Sequence, residues 1–397
     1  MSIAIFKKKT FKPEVYHKAG GLRLVHSGTD YFNTLENLIR SANHTLHFQT
    51  YIFDDDTTGK RIAGALKIAS LRGVEIYMMV DAFGSKSLSR KFVNDLRLSG
   101  IHFRFYSMSL FSRNIYLGRR LHHKVVVADR DTALVGGINI ADKYHGTLNE
   151  APWLDYAVLM KGNICKEIDE ICKHIYGRKF IKKDRKNKTN NKQNIFVEDV
   201  SVRIRVNDRL RGKNQVSNSY LKAIKSAKKS IYITGSYFLP GTKLRTALIN
   251  AAERGVEVHL IMAGISDVPV FQAATRWLYD LLFRNNIKVY EWEGSVLHGK
   301  GAVVDDAWTT IGSFNLNHLS AYGSIELNID VLDEKFSNEF RVQLKSVIES
   351  GCKQLFPNHQ NNHWMAKLKR WAAYQLTRIT IKLVVIFPYV NPFKKFE

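Results

Sequence analysis

The sequence predicts an α/β protein of two related halves, each with a mixed, mostly parallel sheet sandwiched by helices, the halves related by a pseudo-twofold axis. Three observations support this fold class. The chain has 397 residues, which is too long for one ordinary core and suits two domains. A strand–helix–strand pattern occurs twice along the chain. A block of polar residues with fixed internal spacing also occurs twice.

The strand–helix–strand pattern is marked by the tetrapeptide RGVE, which occurs within 69–77 (ASLRGVEIY) and within 251–259 (AAERGVEVH). Each copy ends a helical pattern and leads into a strand-like apolar run. Another apolar run precedes each helix, at 46–53 and at 231–239. Because strand, helix and strand follow one another in this order, we expect parallel strands in each half.

The polar block lies at 121–140 and again at 297–316, with a constant offset of 176 positions. Each copy has the form His-x-Lys-x4-Asp, followed by a glycine pair or Gly-Ser and then an asparagine. The recurring residues are His122, Lys124, Asp129, Gly136 and Asn139, and then His298, Lys300, Asp305, Gly312 and Asn315. We expect the glycines to let the backbone approach a ligand closely.

On a strand, alternate side chains share a face, so His122 and Lys124 are expected to point the same way and His123 the opposite way. The second copy has Gly299 in place of His123, which indicates that the middle position carries no necessary chemistry. Two such copies brought together supply two imidazoles, two ammonium groups and two amides. This set suits phosphodiester chemistry: one histidine attacks phosphorus, the other transfers protons, and Lys and Asn hold the phosphate oxygens. The sequence predicts no metal and no cofactor for this site.

Two acidic residues follow the asparagines, Asp155 in the first half and Glu326 in the second. A nucleophilic histidine needs a partner for its second ring nitrogen, and we assign that role to these two carboxylates. The alternative is that they are ordinary acids at strand ends. Asp129 and Asp305 are expected to anchor the motif loops by hydrogen bonds rather than to act as acids or bases.

These motifs resemble the phospholipase D superfamily, and in particular the bacterial cardiolipin synthases of the short B-type, which lack N-terminal transmembrane helices. Four further segments are similar to that family: YIFDDDTTGK at 51–60, VDAFGS at 80–85, GGINIADKY at 136–144 and SYFLPG at 236–241. The resemblance covers roughly residues 20–350.

The resemblance implies two fused phospholipase D-like domains and a ping-pong reaction. One phosphatidylglycerol would be cleaved to a phosphatidyl-histidine enzyme with release of glycerol. A second phosphatidylglycerol would accept the phosphatidyl group and form cardiolipin. The family analogy favours His122 as the nucleophile and His298 as the acid and base.

We divide the chain into a first domain at 1–177, a basic linker at 178–194, a second domain at 195–356 and a C-terminal tail at 357–397. The linker is either a solvated loop or a site for phosphate groups. The tail mixes Trp, Leu and Ile with Lys and Arg. It is either a basic amphipathic element on a membrane surface or a helix docked on the protein core.

The charge balance, 60 basic against 36 acidic residues and a net charge of +24, indicates a polyanionic partner, either nucleic acid or an anionic membrane. Fifteen residues separate Tyr106 from His122, whereas seven separate Tyr290 from His298. The longer segment mixes apolar and basic side chains suited to the headgroup boundary of a bilayer, unless it packs on its own domain. The predicted membrane or substrate contacts are Phe111, Arg113, Tyr116, Arg119 and Arg120.

The sequence has no apolar run of about 18 or more residues, and its three cysteines are too few for a disulfide framework. We therefore expect a peripheral protein on the cytoplasmic face of the cell membrane. The expected partners are an anionic phospholipid membrane and phosphatidylglycerol, with no obligatory nucleic acid. The sequence does not indicate an oligomeric state.

Three other functions remain open at this point. A phospholipase D hydrolase would use water in place of the acceptor alcohol. A nuclease of the same superfamily would use the positive charge to bind DNA. A lipid-binding scaffold without activity is disfavoured because every His, Lys and Asn of the two motifs is present.

Overall fold

The computed structural model describes residues 16–106, 120–177, 200–208, 212–357 and 364–386. The predicted linker at 178–194 lies outside these ranges. The elements of the first half are β1 (His17–Ala19), β2 (Gly21–His26), α1 (Thr29–Ser41), β3 (Thr45–Thr50), α2 (Thr57–Leu71), β4 (Glu75–Asp81), α3 (Arg90–Leu98), β5 (His102–Tyr106), β6 (Arg120–Leu121), β7 (Lys124–Ala128), β8 (Thr132–Gly136), α4 (Asp142–His145), β9 (Tyr156–Lys161) and α5 (Ile164–Tyr176).

The second half follows a similar order, with two helices in place of α3 and a further strand and helix at its end. Its elements are β10 (Val200–Asp208), β11 (Lys213–Asn214), α6 (Gln215–Ser226), β12 (Ser230–Gly235), α7 (Thr242–Glu253), β13 (Glu257–Ala263), α8 (Pro269–Trp277), α9 (Tyr279–Arg284), β14 (Lys288–Trp292), β15 (Lys300–Val304), β16 (Trp308–Gly312), α10 (His318–Tyr322), β17 (Ser324–Leu332), α11 (Glu334–Gly351), β18 (Cys352–Leu355) and α12 (Trp364–Ile386).

The described strands form two sheets, which confirms the predicted α/β fold of two related halves. The first sheet has the order β2-β9-β8-β7-β3-β4-β5. The second contains the path β1-β10-β17-β16-β15-β12-β13-β14-β18. The segment β9-β8-β7-β3-β4-β5 corresponds strand for strand to β17-β16-β15-β12-β13-β14, so the sequence repeat is also a structural repeat.

The expectation of mostly parallel sheets is wrong. Parallel pairing in the repeated unit is confined to β3-β4-β5 and to β12-β13-β14, the strands joined by crossover helices. The motif strands pair antiparallel with their neighbours, as β7 does with β3 and β8. A short turn joins β7 to β8, and a connection of that length permits only antiparallel pairing. The strand–helix–strand pattern around RGVE therefore predicted the parallel strands correctly, but the parallel pairing does not extend to the rest of each sheet.

The two sheets pack against each other through their inner faces. Val125 and Val127 of β7 join a buried cluster with Ile311, Leu327 and Ile329 of the second half. The alternate residues of β7, Val126 and Ala128, belong to a separate core under α1 and α2. This alternation follows from the period of two along a strand.

The halves also exchange short strands. β1, from the start of the chain, pairs antiparallel with β10 of the second sheet. β6, which immediately precedes the first motif, pairs in parallel with β17. Leu154 of the first half forms an isolated bridge with Leu297, which immediately precedes His298. The backbone next to each motif is therefore held by the opposite half.

The tail contains the 23-residue helix α12, which packs against α8 and α10. Ala373 and Tyr374 pack on a small cluster formed by Leu239, Ala274 and Leu278. Among the residues that the structure describes, no helix is long and apolar enough to cross a bilayer.

Candidate active site

A cavity of about 290 Å³ lies between the two halves and is lined by four of the motif side chains. Both motif histidines and both motif asparagines line it. Its walls come from both halves of the chain. The lining residues are Tyr51, Ile52, Arg120, His122, Asn139, Lys143, Tyr144, Trp153, Tyr237, Asp267, Val268, Phe271, His298, Asn315, Asn317, Leu319, Ser320 and Ser324.

His122 is held by β17 of the second half. Its backbone N–H donates to the carbonyl of Ile325 at 3.0 Å. Its ring Nδ1 lies 2.9 Å from Oε2 of Glu326, whose side chain is fully buried. A carboxylate at Nδ1 fixes the ring proton there and leaves Nε2 with a free electron pair. Burial lowers the pKa of His122, and Glu326 opposes that shift.

His298 has the mirror arrangement in the first half. Its backbone N–H donates to the carbonyl of Leu154 at 2.9 Å. Its Nδ1 lies 2.5 Å from Oδ2 of Asp155. Burial and the charges of Lys300 and Lys124 hold the pKa of His298 well below its usual value. Each histidine therefore takes its carboxylate partner from the opposite half.

The two lysines lie beneath the histidines. The Nζ atom of Lys124 donates to the carbonyl of His122 at 2.6 Å, and Lys300 bonds the carbonyl of His298 in the same way. Burial and the charge of Lys300 lower the pKa of Lys124 to about 7, and burial lowers that of Lys300 to about 8. Burial also raises the pKa of Asp155 to about 7, against the attraction of Lys300. An anionic substrate would relieve the repulsion between these buried ammonium groups.

The asparagines are oriented by different partners in the two halves. Oδ1 of Asn139 accepts from the N–H of Ile52 at 3.0 Å, and its Nδ2 donates to the hydroxyl of Tyr144 at 2.7 Å. Oδ1 of Asn315 accepts from the hydroxyl of Ser236 at 3.0 Å. The Oδ1 atom of each asparagine is therefore already occupied by a donor from its own half.

Asp129 and Asp305 lie outside the cavity and hold the motif turns. The carboxylate of Asp129 accepts backbone N–H groups of Asn43, His44 and Thr45 at 2.8–2.9 Å. That of Asp305 accepts the N–H groups of residues 228–230 at 2.7–3.0 Å. Both residues have a positive φ, 53° and 54°, a region that Asp adopts more readily than most residues. Neither contacts the reacting groups.

The motif glycines lie against neighbouring parts of the chain, where a larger side chain would collide. A Cβ on Gly136 would lie 2.5 Å from the carbonyl oxygen of Tyr156, and one on Gly312 would lie 2.4 Å from that of Leu327. A Cβ on Gly137 would lie 2.3 Å from Oδ1 of Asp155. These glycines therefore make room for the neighbouring strand and for the carboxylate that holds His298.

His123 is fully buried away from the cavity, and its Nε2 lies 2.8 Å from Oε1 of Gln49. This agrees with its expected placement on the opposite face. Of the predicted membrane or substrate contacts, Arg120 lines the cavity, and its guanidinium carbon lies 4.4 Å from the ring centroid of Phe83. The other four, Phe111, Arg113, Tyr116 and Arg119, lie outside the described residues.

Sequence reasoning missed the aromatic residues of the site. The Tyr51 ring centroid lies 4.8 Å from that of His122. The Tyr144 hydroxyl lies 3.4 Å from Nε2 of His298, and the Trp153 ring lies 6.0 Å from the imidazole, measured between centroids. Tyr51 and Tyr144 fall in the two segments YIFDDDTTGK and GGINIADKY. Their family-like character was the available signal, but no spacing argument connected them to a histidine.

Asp81 was also missed. Its buried carboxylate accepts from the N–H of Leu121 at 2.9 Å and from those of Phe83 and Gly84 at 3.0 Å. Burial raises its pKa. Asp81 thus fixes the chain directly before His122. Its segment VDAFGS at 80–85 resembles the family, which was the available signal, but an acid that ends an apolar strand is commonly structural, and no spacing argument connected it to His122. Across the ranges that the structure covers, no group of three or more His, Cys, Asp or Glu residues converges as metal ligands would.

Comparison with known proteins agrees with this geometry. The family described as "Cardiolipin synthase, PLD-like domain" matches residues 35–175 and 220–348. Cardiolipin synthase B of Escherichia coli strain K12 is 30% identical over 343 residues, which cover 86% of this chain and 83% of that protein. The minor cardiolipin synthase ClsB of Bacillus subtilis is 26% identical, with 85% and 84% covered.

A solved structure shows the same fold. The crystal structure of phosphatidylserine synthase from Haemophilus influenzae Rd KW20 superposes with a TM-score of 0.72 at 15% identity, and the match covers 94% of this chain and 96% of that one. At that identity the likeness concerns the fold alone. The family match spans both halves and both motifs, so this chain belongs to the cardiolipin synthase family of phospholipase D-like proteins.

Proposed function

We propose that this protein is a phosphatidyltransferase that makes cardiolipin from two molecules of phosphatidylglycerol through a phosphatidyl-histidine intermediate. One observation carries the proposal: His122 and His298 line one cavity, and each is held by a buried carboxylate from the opposite half. The names of the relatives, cardiolipin synthases of several bacteria, support the choice of lipid.

In the first step, Nε2 of His122 attacks the phosphorus of a phosphatidylglycerol. The N–P bond forms as the bond from phosphorus to the glycerol oxygen breaks, and the leaving oxygen takes a proton from Nε2 of His298. In the second step, the terminal hydroxyl of another phosphatidylglycerol attacks phosphorus and gives its proton back to His298. The N–P bond breaks, and His122 is regenerated. Each step conserves charge and protons with no reactant other than the two phosphatidylglycerol molecules.

The role of His298 requires a proton that the free site disfavours, because burial and the charges of the two lysines lower its pKa. A bound phosphodiester brings one negative charge next to those lysines. That charge raises the proton affinity of the imidazole, so protonation of His298 is coupled to substrate binding. Lys124 and Lys300, with the amides of Asn139 and Asn315, would hold the non-bridging oxygens.

The protein is expected to act as a peripheral protein on the cytoplasmic face of the cell membrane. Its strong positive charge suits an anionic lipid surface. Cys165, Cys172 and Cys352 are free thiols, as expected in a reducing compartment.

The test is mass spectrometry of lipids after incubation of the purified protein with phosphatidylglycerol vesicles. Cardiolipin and free glycerol are expected, and both should disappear in His122→Ala and in His298→Ala. Phosphatidic acid as the sole product would replace the transferase with a hydrolase. If no lipid product formed, the proposal would fail, and a DNA cleavage assay would test the nuclease alternative.

A further inference from the structure

Exposed apolar side chains border the mouth of the cavity on both halves. Phe83 follows β4 and is 56% exposed, and Ile265 follows β13 and is 46% exposed. They occupy corresponding positions, 182 residues apart, as do the two copies of RGVE. Phe83 packs on Arg120, and Ile265 lies two residues before Asp267; Arg120 and Asp267 both line the cavity. The same edge of both half-sheets therefore displays an apolar tip beside the site.

Helix α12 carries further exposed apolar side chains. Ala373, Tyr374 and Thr377 face the protein body. The opposite side displays Leu368, Trp371, Leu376 and Ile379, which are 45–57% exposed. At about 100° per residue these four side chains fall within an arc of about 140°. An amphipathic helix normally buries its apolar stripe, but α12 has apolar residues on its outer face as well.

The charges of α12 are of one sign. Residues 364–386 contain five basic residues and no acidic residue. Lys367 and Arg378 flank the outer apolar arc on one side and Lys369 on the other, as their helical spacing requires. Apolar and aromatic side chains between flanking cations fit the boundary between headgroups and acyl chains. A second copy of the same helix would be repelled by like charge, so self-association does not explain the face.

The position of α12 relative to the cavity is fixed by its two supports. It packs on α8 and α10. Val268, at the N-terminal end of α8, and Phe271 line the cavity, as do Leu319 and Ser320 of α10. Helix α12 is therefore separated from the cavity by a single layer of helix, formed by α8 and α10.

We propose that Phe83, Ile265 and the outer face of α12 (Leu368, Trp371, Leu376 and Ile379) form one docking surface for an anionic phospholipid bilayer. This surface holds the cavity mouth against the bilayer, so a lipid headgroup enters the site without leaving the membrane interface. The inference rests on the proposed lipid function but concerns a surface outside the reacting groups.

The experiment compares two double variants with the same change in charge. Leu368→Glu with Trp371→Glu alters the docking surface. Leu71→Glu with Leu98→Glu is the matched control: these residues are 83% and 89% exposed, and they end α2 and α3 at the opposite edge of the sheet. Binding is measured by sedimentation with vesicles of phosphatidylglycerol and phosphatidylethanolamine, and with neutral phosphatidylcholine vesicles. Thermal unfolding checks that both variants fold.

We expect the docking variant to bind anionic vesicles at least tenfold more weakly and the control to bind like the wild type. Cardiolipin formation by the docking variant should be reduced far more with vesicle substrate than with monomeric short-chain phosphatidylglycerol. If the docking variant and the control bound anionic vesicles equally well, the docking surface would be overturned. If the wild type bound neutral vesicles as well as anionic ones, the preference for anionic lipid would be overturned. If Leu368→Glu/Trp371→Glu fails to fold, Leu368→Ser/Trp371→Ser replaces it. Wild-type protein that binds vesicles but makes no product from either lipid form would refute the proposed function and leave the docking surface standing.

Discussion

The two halves of the molecule share one scaffold but differ in how they hold their motifs. Each histidine bonds a carboxylate of the other half, yet His122 is paired with a glutamate and His298 with an aspartate. Ser313, at the position of Gly137, donates to Oε2 of Glu326 at 2.6 Å. Gly137 instead leaves space for the Asp155 carboxylate. Glu326, the longer acid, therefore accepts a hydrogen bond from the Ser313 hydroxyl. Asp155, the shorter acid, occupies the space that a side chain at position 137 would need.

The two histidines also differ in how exposed their side chains are. The side chain of His122 is 15% exposed, whereas that of His298 is 7% exposed and lies against Tyr144 and Trp153. A nucleophile must reach phosphorus, while a proton donor benefits from a shielded position. The comparison teaches that a duplicated motif can take two roles when the surrounding residues, rather than the motif itself, diverge.

The largest effect should come from the histidines, and the leaving group should separate their roles. With phosphatidylglycerol, His298→Ala should lower the rate by about 10³-fold because the glycerol oxygen leaves without a proton. With a p-nitrophenyl phosphatidyl ester, whose leaving group needs no proton, the burst of nitrophenolate should persist in His298→Ala and vanish in His122→Ala. Stopped-flow absorbance measures the burst. The reverse pattern would exchange the two roles.

The next effect concerns pH. Activity requires Asp155 ionised, so kcat/KM should fall on the acid side as this group, with a pKa of about 7, takes up its proton. It should fall on the alkaline side as Lys124 and Lys300 lose protons at about 7 and 8. The profile on soluble short-chain lipid should therefore be a narrow bell near neutral pH.

Asp155→Asn should lower kcat by about 10²-fold and shift the acid limb, because the amide cannot hold His298 as a carboxylate does. Glu326→Gln is the matched change in the other half and should affect His122. An unchanged acid limb in Asp155→Asn would assign that limb to another group.

A smaller effect is expected from the anchors. Asp129→Ala and Asp305→Ala should each lower the free energy of unfolding by about 2 kcal/mol, because each removes a charged acceptor from three backbone N–H groups. Urea denaturation measures the change, with Asp131→Ala, an exposed neighbour, as the control. Unequal losses for the two anchors would show that the halves differ in stability as well as in access.

The smallest effect concerns the helices that follow the first parallel strand. Asp56 caps α2 by accepting the N–H of Gly59 at 2.8 Å, but the corresponding residue before α7, 185 positions later, is Gly241 with no side-chain cap. Asp56→Ala should therefore cost about 1 kcal/mol, whereas Gly241→Asp supplies the missing capping side chain and should raise stability by a few tenths, about 0.3 kcal/mol. Thermal denaturation distinguishes them, and equal shifts would rule out the cap as the cause.

Much of the site could be predicted from the sequence because the relevant information is local and repeated. The fixed offset of 176 identified His122, Lys124 and Asn139 with their counterparts, and the period of two placed His123 on the opposite face. The strand–helix–strand order identified the parallel part of each sheet. Each of these inferences depends on residues within a few positions of one another.

The tertiary structure decided which groups meet. Glu326 and His122 are 204 positions apart, and Asp155 and His298 are 143 apart, so no local pattern relates them. The antiparallel pairing of the motif strands, the contact of Tyr144 with His298 and the outward apolar face of α12 arise in the same way. The sequence by itself determined the chemistry available and the local elements that carry it. Only the folded chain decided how the two copies are joined, because strand pairing and packing between the halves depend on contacts between distant segments, which periodicity does not record.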